Sequence, residues 1–185
     1  MSYVYLASNY DSEVKVGETK NTTQRQRQLW RDRGHLIQES TEVGGGEIER
    51  KFVEGYVRLC LAHSGLATPL SLDYFDCGNS SICDIIKENF NIWVEKGMEI
   101  MREVIQQSLP IINHIPQYHF QVFSQRIWDR MTYHVETFNS FEDHFTCKHK
   151  EEDELTIACQ KCLKPLGYNY TIERKTAWVY FTVTR

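Results

Sequence analysis

No stretch of the chain approaches the roughly 20 consecutive apolar residues needed to cross a bilayer. A membrane partner is therefore not expected. The N-terminal MSYVYLASNYDSE has neither a basic start nor a long apolar run, so no signal peptide is expected and the reading is of a soluble, intracellular protein. Positive charge is not in excess: 21 Lys and Arg stand against 25 Asp and Glu, a net charge of −4. The two halves are alike, with 10 basic and 13 acidic side chains in residues 1–93 and 11 and 12 in residues 94–185. Neither half is an electrostatic glove for nucleic acid, so such a partner would need a local basic patch or a metal that neutralises acidic groups. Internal repeats and low-complexity tracts are absent. The six cysteines are Cys60, Cys77, Cys83, Cys147, Cys159 and Cys162. In an intracellular setting they read as thiols or metal ligands rather than disulfides. What remains is 185 residues, 41% hydrophobic and 12% aromatic, enough for one sizeable domain or two small ones.

Val4–Ala7 and Val14–Gly17 read as short strands joined by the turn-forming SNYDSE. Asn21-Thr22-Thr23 starts a helix that Gly34 ends. HLIQESTEV alternates as a third strand, and a second helix runs from about Glu47 to Ala62. A short extended piece is expected at Tyr74–Phe75. Asn79-Ser80-Ser81 then caps a long helix, in which Ile82, Ile85, Ile86, Phe90, Trp93, Gly97 and Ile100 keep helical spacing. That helix reads either as one piece of about 26 residues or as two broken near Asn89–Asn91. It serves as the connector, over 94–117, between a first module (1–93) and a second (118–185). Near the C-terminus, Leu155 to Leu166 make an amphipathic helical stripe, and GYNYTIERKTAWVYFTVTR reads as a hairpin turning near Lys175-Thr176.

Each helical residue advances about 100°, so spacing tells which side chains share a face. On the second helix, Ile48, Phe52, Tyr56, Leu59 and Cys60 form an apolar arc, and Glu49 lies inside it. Glu47 lies opposite, with Arg50, Lys51, Glu54 and Arg58, on a face that reads as solvated. An inward carboxylate needs a cation or a metal, since burying it alone costs several kcal/mol, on the order of magnitude of an unpaired charge. On the first helix, Arg25 lies close to the Leu29 direction and so faces the core, while Arg27 and Arg31 share the outer face. A buried Arg25–Glu49 ion pair is one account of both.

YVY at Tyr3–Tyr5, KVG at Lys15–Gly17, Arg25 eight residues on and Glu49 in EIERKF together resemble the GIY-YIG nuclease family. KVGET and DYF at Asp73–Phe75 look most like the branch frequent in phages and large DNA viruses. The resemblance covers residues 1–93. Tyr3 stands where the family has the first glycine of GIY, and Lys15 where it has the first tyrosine of YIG. The resemblance implies an α+β fold, a small three-stranded antiparallel sheet flanked by helices, followed here by a C-terminal α+β module. It implies metal-dependent endonucleolytic cleavage of DNA, with RNA as the other nucleic-acid substrate, in the cytoplasm or nucleus of a host cell if the source is viral. Glu49 would hold Mg²⁺ or Mn²⁺ through hard oxygen. Arg25 would clamp the phosphate. Tyr5, polarised by Lys15 or the metal, would activate water, or Lys15 itself would act as base. His35 is a helper or simply an exposed strand-end histidine, and Tyr3 a site residue or core packing. Arg27, Arg31 and Arg33 would touch neighbouring phosphates without reading sequence, or be solvated charges. The alternative is a catalytically silent scaffold of this type that binds nucleic acid or a protein, or an adaptor in which Arg25 and Glu49 merely pair.

In the second module Cys147, His149, Cys159 and Cys162 give C-x-H and C-x-x-C, candidate ligands for a structural zinc. The same cysteines at 159 and 162 fall on an apolar helical stripe, where they pack as small hydrophobes. Arg126 and Arg130 among aromatics suit either base stacking or a core. This module would supply target recognition or a homodimer contact. The acidic run at Lys150–Glu154 reads as a helix first turn.

Overall fold

Strands β1 (Tyr3–Ser8) and β2 (Glu13–Thr19) pair antiparallel, with Tyr5 opposite Gly17 and Ala7 opposite Lys15. In the computed structural model, which describes residues 1–10, 12–45, 47–71, 73–108, 142–147, 149 and 152–184, this pair is the centre of the first sheet. Helix α1 (Thr22–Arg33) follows; the Asn21 side chain accepts from the Gln24 amide at 2.9 Å, and Gly34 closes the helix at φ 68°, a left-handed turn that glycine adopts without strain. Strand β3 (Leu36–Glu42) pairs with the other side of β1, and helix α2 (Glu47–His63) follows.

Strands β4 (Thr68–Pro69) and β5 (Tyr74–Asp76) then extend the sheet, giving the order β3-β1-β2-β5-β4, antiparallel throughout. The fold is α+β as expected, but this sheet has five strands rather than three. The extended piece at Tyr74–Phe75 pairs with Lys15 and Val14 of β2, and Thr68–Pro69 adds to its outer edge. These strands are too short to announce themselves by alternation.

Strands β1 and β2 are buried on both faces. Val4, Leu6, Val14 and Val16 pack with Phe52, Val53 and Val57 of α2, while Tyr5 and Ala7 pack against Leu29 of α1. Helix α3 (Ser80–Ser108) is a single 29-residue helix, with its first turn held by the Asn79 side chain accepting from Ile82. Gly97 sits where a Cβ would meet Tyr56 at 3.0 Å and Val53 at 3.3 Å, so it lets α3 approach α2 closely.

Helix α3 runs unbroken through the boundary drawn at residues 93 and 94. Its Val94, Ile100 and Met101 share one core with Cys147, Leu163 and Phe181 from the C-terminal part. There β6 (Glu142–Cys147), α4 (Glu152–Ala158), β7 (Asn169–Arg174) and β8 (Val179–Thr184) form a three-stranded antiparallel sheet of order β6-β8-β7 with one helix. The β7–β8 hairpin turns where expected, the Lys175 amide donating to the Trp178 carbonyl at 2.8 Å. After α4 the chain winds through a π turn at Cys159–Leu163 and a 3₁₀ turn at Lys164–Leu166.

Cys77 and Cys83 are joined as a disulfide, which corrects the reading of all six cysteines as thiols or metal ligands. Cys77 follows β5, and Cys83 stands in the opening turn of α3. A left-handed turn at Gly78, φ 69°, brings their Cα atoms to 6.2 Å. The expected linker beyond Ser108 and the aromatic segment with Arg126 and Arg130 lie outside the described residues. None of the described helices is long and apolar enough to cross a membrane.

Candidate active site

The Tyr5 ring lies flat over Gly17, its partner across the strand pair. A Cβ there would fall 2.3 Å from the Tyr5 hydroxyl oxygen, so only glycine leaves room for the ring. Tyr5 has no exposed surface. Arg25, one turn before the buried Leu29, reaches down from α1 and donates from Nε to the Tyr5 hydroxyl at 2.8 Å. One terminal nitrogen donates to Gln28 at 3.0 Å. Burial raises the Tyr5 pKa above its ordinary value, and the Arg25 hydrogen bond opposes this only in part, so the phenol keeps its proton at neutral pH.

Lys15, two residues before Gly17 on the same strand face, is almost fully buried and forms an ion pair with Asp73. Its ammonium lies 4.1 Å from the centre of the Tyr74 ring. Burial first, then the guanidinium of Arg25, pull its pKa down to about 8, with Glu54 opposing. The touching Asp73 carboxylate also favours the charged form, so the ammonium is the resting state.

Glu54 on α2 is the carboxylate whose charge acts on both Tyr5 and Lys15. The sequence reading had set it on a solvated face with Arg50 and Arg58. Arg50 on that face is not solvated: it is 4% exposed, bonded to Glu18 of β2 and donating to the Ser2 hydroxyl at 3.0 Å. Glu47, by contrast, is exposed and pairs with Lys51 at 2.7 Å. The signal that could have found Glu54 is the stripe Arg50, Glu54, Arg58 at four-residue spacing, which repeats on one side of the helix.

Glu49 occupies a different place. Its side chain folds back on the loop before α2, where a Cβ on Gly45 would fall 2.8 Å from its carboxyl carbon. It is not among the residues that line the cleft beside Arg25, a cavity of about 430 Å³ whose single carboxylate is Glu18. Of the other expected site residues, Tyr3 is half-buried and donates to the Met1 sulfur at 3.2 Å. His35 has no exposed surface, which corrects its reading as an exposed strand-end residue. It stands edge-on to Tyr74 and 3.2 Å from the Glu13 carboxylate, with its pKa lowered chiefly by burial, so the imidazole is neutral at pH 7. Arg33 lies over the Tyr74 ring at 4.4 Å and 3.4 Å from Glu13. Arg31 is exposed and 3.5 Å from Asp32, and Arg27 is exposed.

The candidate zinc ligands do not converge among the described residues. The exposed His149 ring lies 2.8 Å from the Lys175 carbonyl oxygen, and burial, with Cys147 adding to it, pushes the Cys159 thiol up to about 12. The Cys162 side chain lies outside the described residues. No group of three His, Cys, Asp or Glu side chains that could hold a metal gathers among the described residues.

The arrangement can bind a phosphate through Arg25, keep a neutral phenol beside it, and hold an amine that ionises near pH 8 between the Asp73 carboxylate and the field of Glu54. Compared with protein-family models, with curated proteins and with solved structures, the chain matches none.

Proposed function

We propose that the chain is a metal-dependent endonuclease that hydrolyses DNA phosphodiester bonds, in the manner of the GIY-YIG nucleases, with its site at Tyr5, Lys15, Arg25 and Glu54. The observation that carries this reading is the Tyr5 phenol stacked on Gly17 and bonded to Arg25, with Lys15 beside it on the strand. Arg25 takes a phosphate oxygen with its terminal nitrogens, while its Nε keeps the phenol in place. Tyr5 remains protonated and offers its hydroxyl hydrogen to a phosphate oxygen or the attacking water. With a pKa of about 8, Lys15 is neutral in roughly a tenth of molecules at pH 7, and that form accepts the proton of the water. Asp73 stabilises the ammonium that results.

A divalent ion such as Mg²⁺ or Mn²⁺ would be held by the carboxylate of Glu54, with water and phosphate oxygens as its other ligands. Such an ion, when bound, lowers the pKa of coordinated water and offsets charge on the scissile phosphate. We infer that the carboxylate role expected of Glu49 falls to Glu54, whose charge acts on both Tyr5 and Lys15.

Supercoiled plasmid incubated with Mg²⁺ or Mn²⁺ is expected to be nicked. Arg25→Ala and Glu54→Gln are each expected to lower the rate at least 100-fold, on the scale of losing one transition-state contact. Loss of nicking in Glu49→Gln, with Glu54→Gln still active, would return the carboxylate role to Glu49. A single-stranded RNA of matched length, run in parallel, decides between DNA and RNA.

A second reading is a nucleic-acid-binding scaffold without catalysis. It draws on the burial of both Tyr5 and Lys15, each already bonded to a neighbour. Tight, salt-sensitive binding with no nicking in either metal would select it.

A further inference from the structure

The cleft beside Arg25 is lined by neither Tyr5 nor Lys15, both of which are buried; Arg25 lines it and also bonds Tyr5. It is a cavity of about 430 Å³, of the size that admits a nucleotide-sized group. Its lining is drawn from the end of β2, the turn into α1, the first turns of α1, and α2. Three cations face it, Lys20, Arg25 and Arg50, against the one carboxylate of Glu18. Glu18 is committed to Arg50, which leaves Lys20 and Arg25 uncompensated within the cleft. Lys20 is exposed and makes no ion pair among the described residues. Arg25 directs its Nε to Tyr5 and one terminal nitrogen to Gln28; its second terminal nitrogen makes no hydrogen bond among the described residues.

The rest of the lining is Thr19, Asn21, Gln24 and Gln28, all polar. None of the lining residues is aromatic, so nothing there would stack a base. A surplus of positive charge among neutral hydrogen-bonding groups, without an apolar platform, matches a sugar-phosphate backbone rather than a nucleobase. Arg27, Arg31 and Arg33 do not line this cleft.

We propose that this cleft is a second phosphate subsite, which holds the backbone phosphate next to the one being cleaved. The substrate backbone then runs from Tyr5 across Arg25 to Lys20. Binding there is independent of sequence. This rests on the nuclease reading, because the cleft has a neighbouring phosphate to hold only if Arg25 clamps the scissile one.

The test is binding of a fluorescein-labelled DNA duplex, in EDTA so that nothing is cut, at several salt concentrations. The variants are Lys20→Ala, Lys20→Glu and Lys20→Arg, with Lys164→Ala, an exposed lysine of the 3₁₀ turn, as a control for lost charge. For Lys20→Ala the slope of log affinity against log salt is expected to fall by about 0.9, the value of one phosphate contact on duplex DNA. Affinity is expected to drop about tenfold at low salt, further for Lys20→Glu, with Lys20→Arg and Lys164→Ala close to the unaltered protein. A protein that binds and nicks DNA, but whose slope is the same in Lys20→Ala as in Lys164→Ala, overturns the subsite and leaves the nuclease reading standing. Unaltered protein that neither binds nor nicks removes both. Circular dichroism of each variant separates lost contact from lost fold.

Discussion

A methyl group at Gly17 would sit 2.3 Å from the Tyr5 hydroxyl oxygen and 2.5 Å from the carbon that bears it. Both are buried side-chain atoms of a ring with nowhere to retreat, since Tyr5 is enclosed by Leu29 and Ala7. Gly17→Ala is therefore expected to destabilise the fold by about 1–3 kcal/mol, the cost of overpacking. It is also expected to detach Tyr5 from Arg25, which difference spectroscopy of the tyrosine environment and the plasmid assay would each detect. Tyr5→Phe keeps the ring and removes only the hydroxyl, so it separates loss of chemistry from loss of packing. Lys15 sets the dependence on pH. Its neutral form grows as pH rises toward about 8, so nicking that uses this amine climbs about tenfold per pH unit below that value and levels above it. Lys15→Met is expected to abolish that limb; a rate profile of unchanged shape in the variant would remove Lys15 as the base.

Helices α2 and α3 show how an element's surroundings override its own pattern. Gly97 costs α3 about 1 kcal/mol of helix stability relative to alanine, and it is kept because Tyr56 and Val53 lie 3.0 and 3.3 Å from where a Cβ would be. Gly97→Ala is expected to be near neutral in thermal unfolding, the helix gain offsetting a small displacement of Tyr56. Gly97→Leu is expected to lose about 2–3 kcal/mol by forcing the helices apart. The start and stop of α1 were legible because they are local: Asn21 caps within three residues, and Gly34 turns left-handed within one. The inward aim of Arg25 was legible from its spacing to Leu29. Glu54 was not, because the apolar arc through Phe52 and Cys60 is only part of the buried surface of α2. In fact Phe52, Val53, Val57, Leu59 and Leu61 bury most of its circumference, and the charged stripe with Arg50 lies against β2. A helix wheel cannot tell a solvated charged face from one that meets a partner on a strand.

At the scale of the whole molecule, the two sheets are tied by one core and by α3, whose buried residues reach from Ile86 to Met101. The Tyr168 hydroxyl lies 2.8 Å from His63 Nε2, which joins the chain just before β7 to the last residue of α2. Among the described residues, one core thus spans both sheets. The α+β class, the order of the N-terminal strands and helices, the start of α3 at Asn79-Ser80-Ser81 and the C-terminal hairpin were legible in the sequence; that α3 is unbroken was not. Those features depend on backbone periodicity, caps and turns, which act over a few residues. Tertiary structure alone decided that the sheet has five strands, that Cys77 meets Cys83, that His35 is buried, and that Glu54 is near enough for its charge to act on both Tyr5 and Lys15, while Glu49 folds back on Gly45. Each of these is a meeting of groups from separate elements, and which groups meet is set by how the elements dock, a quantity no local pattern carries.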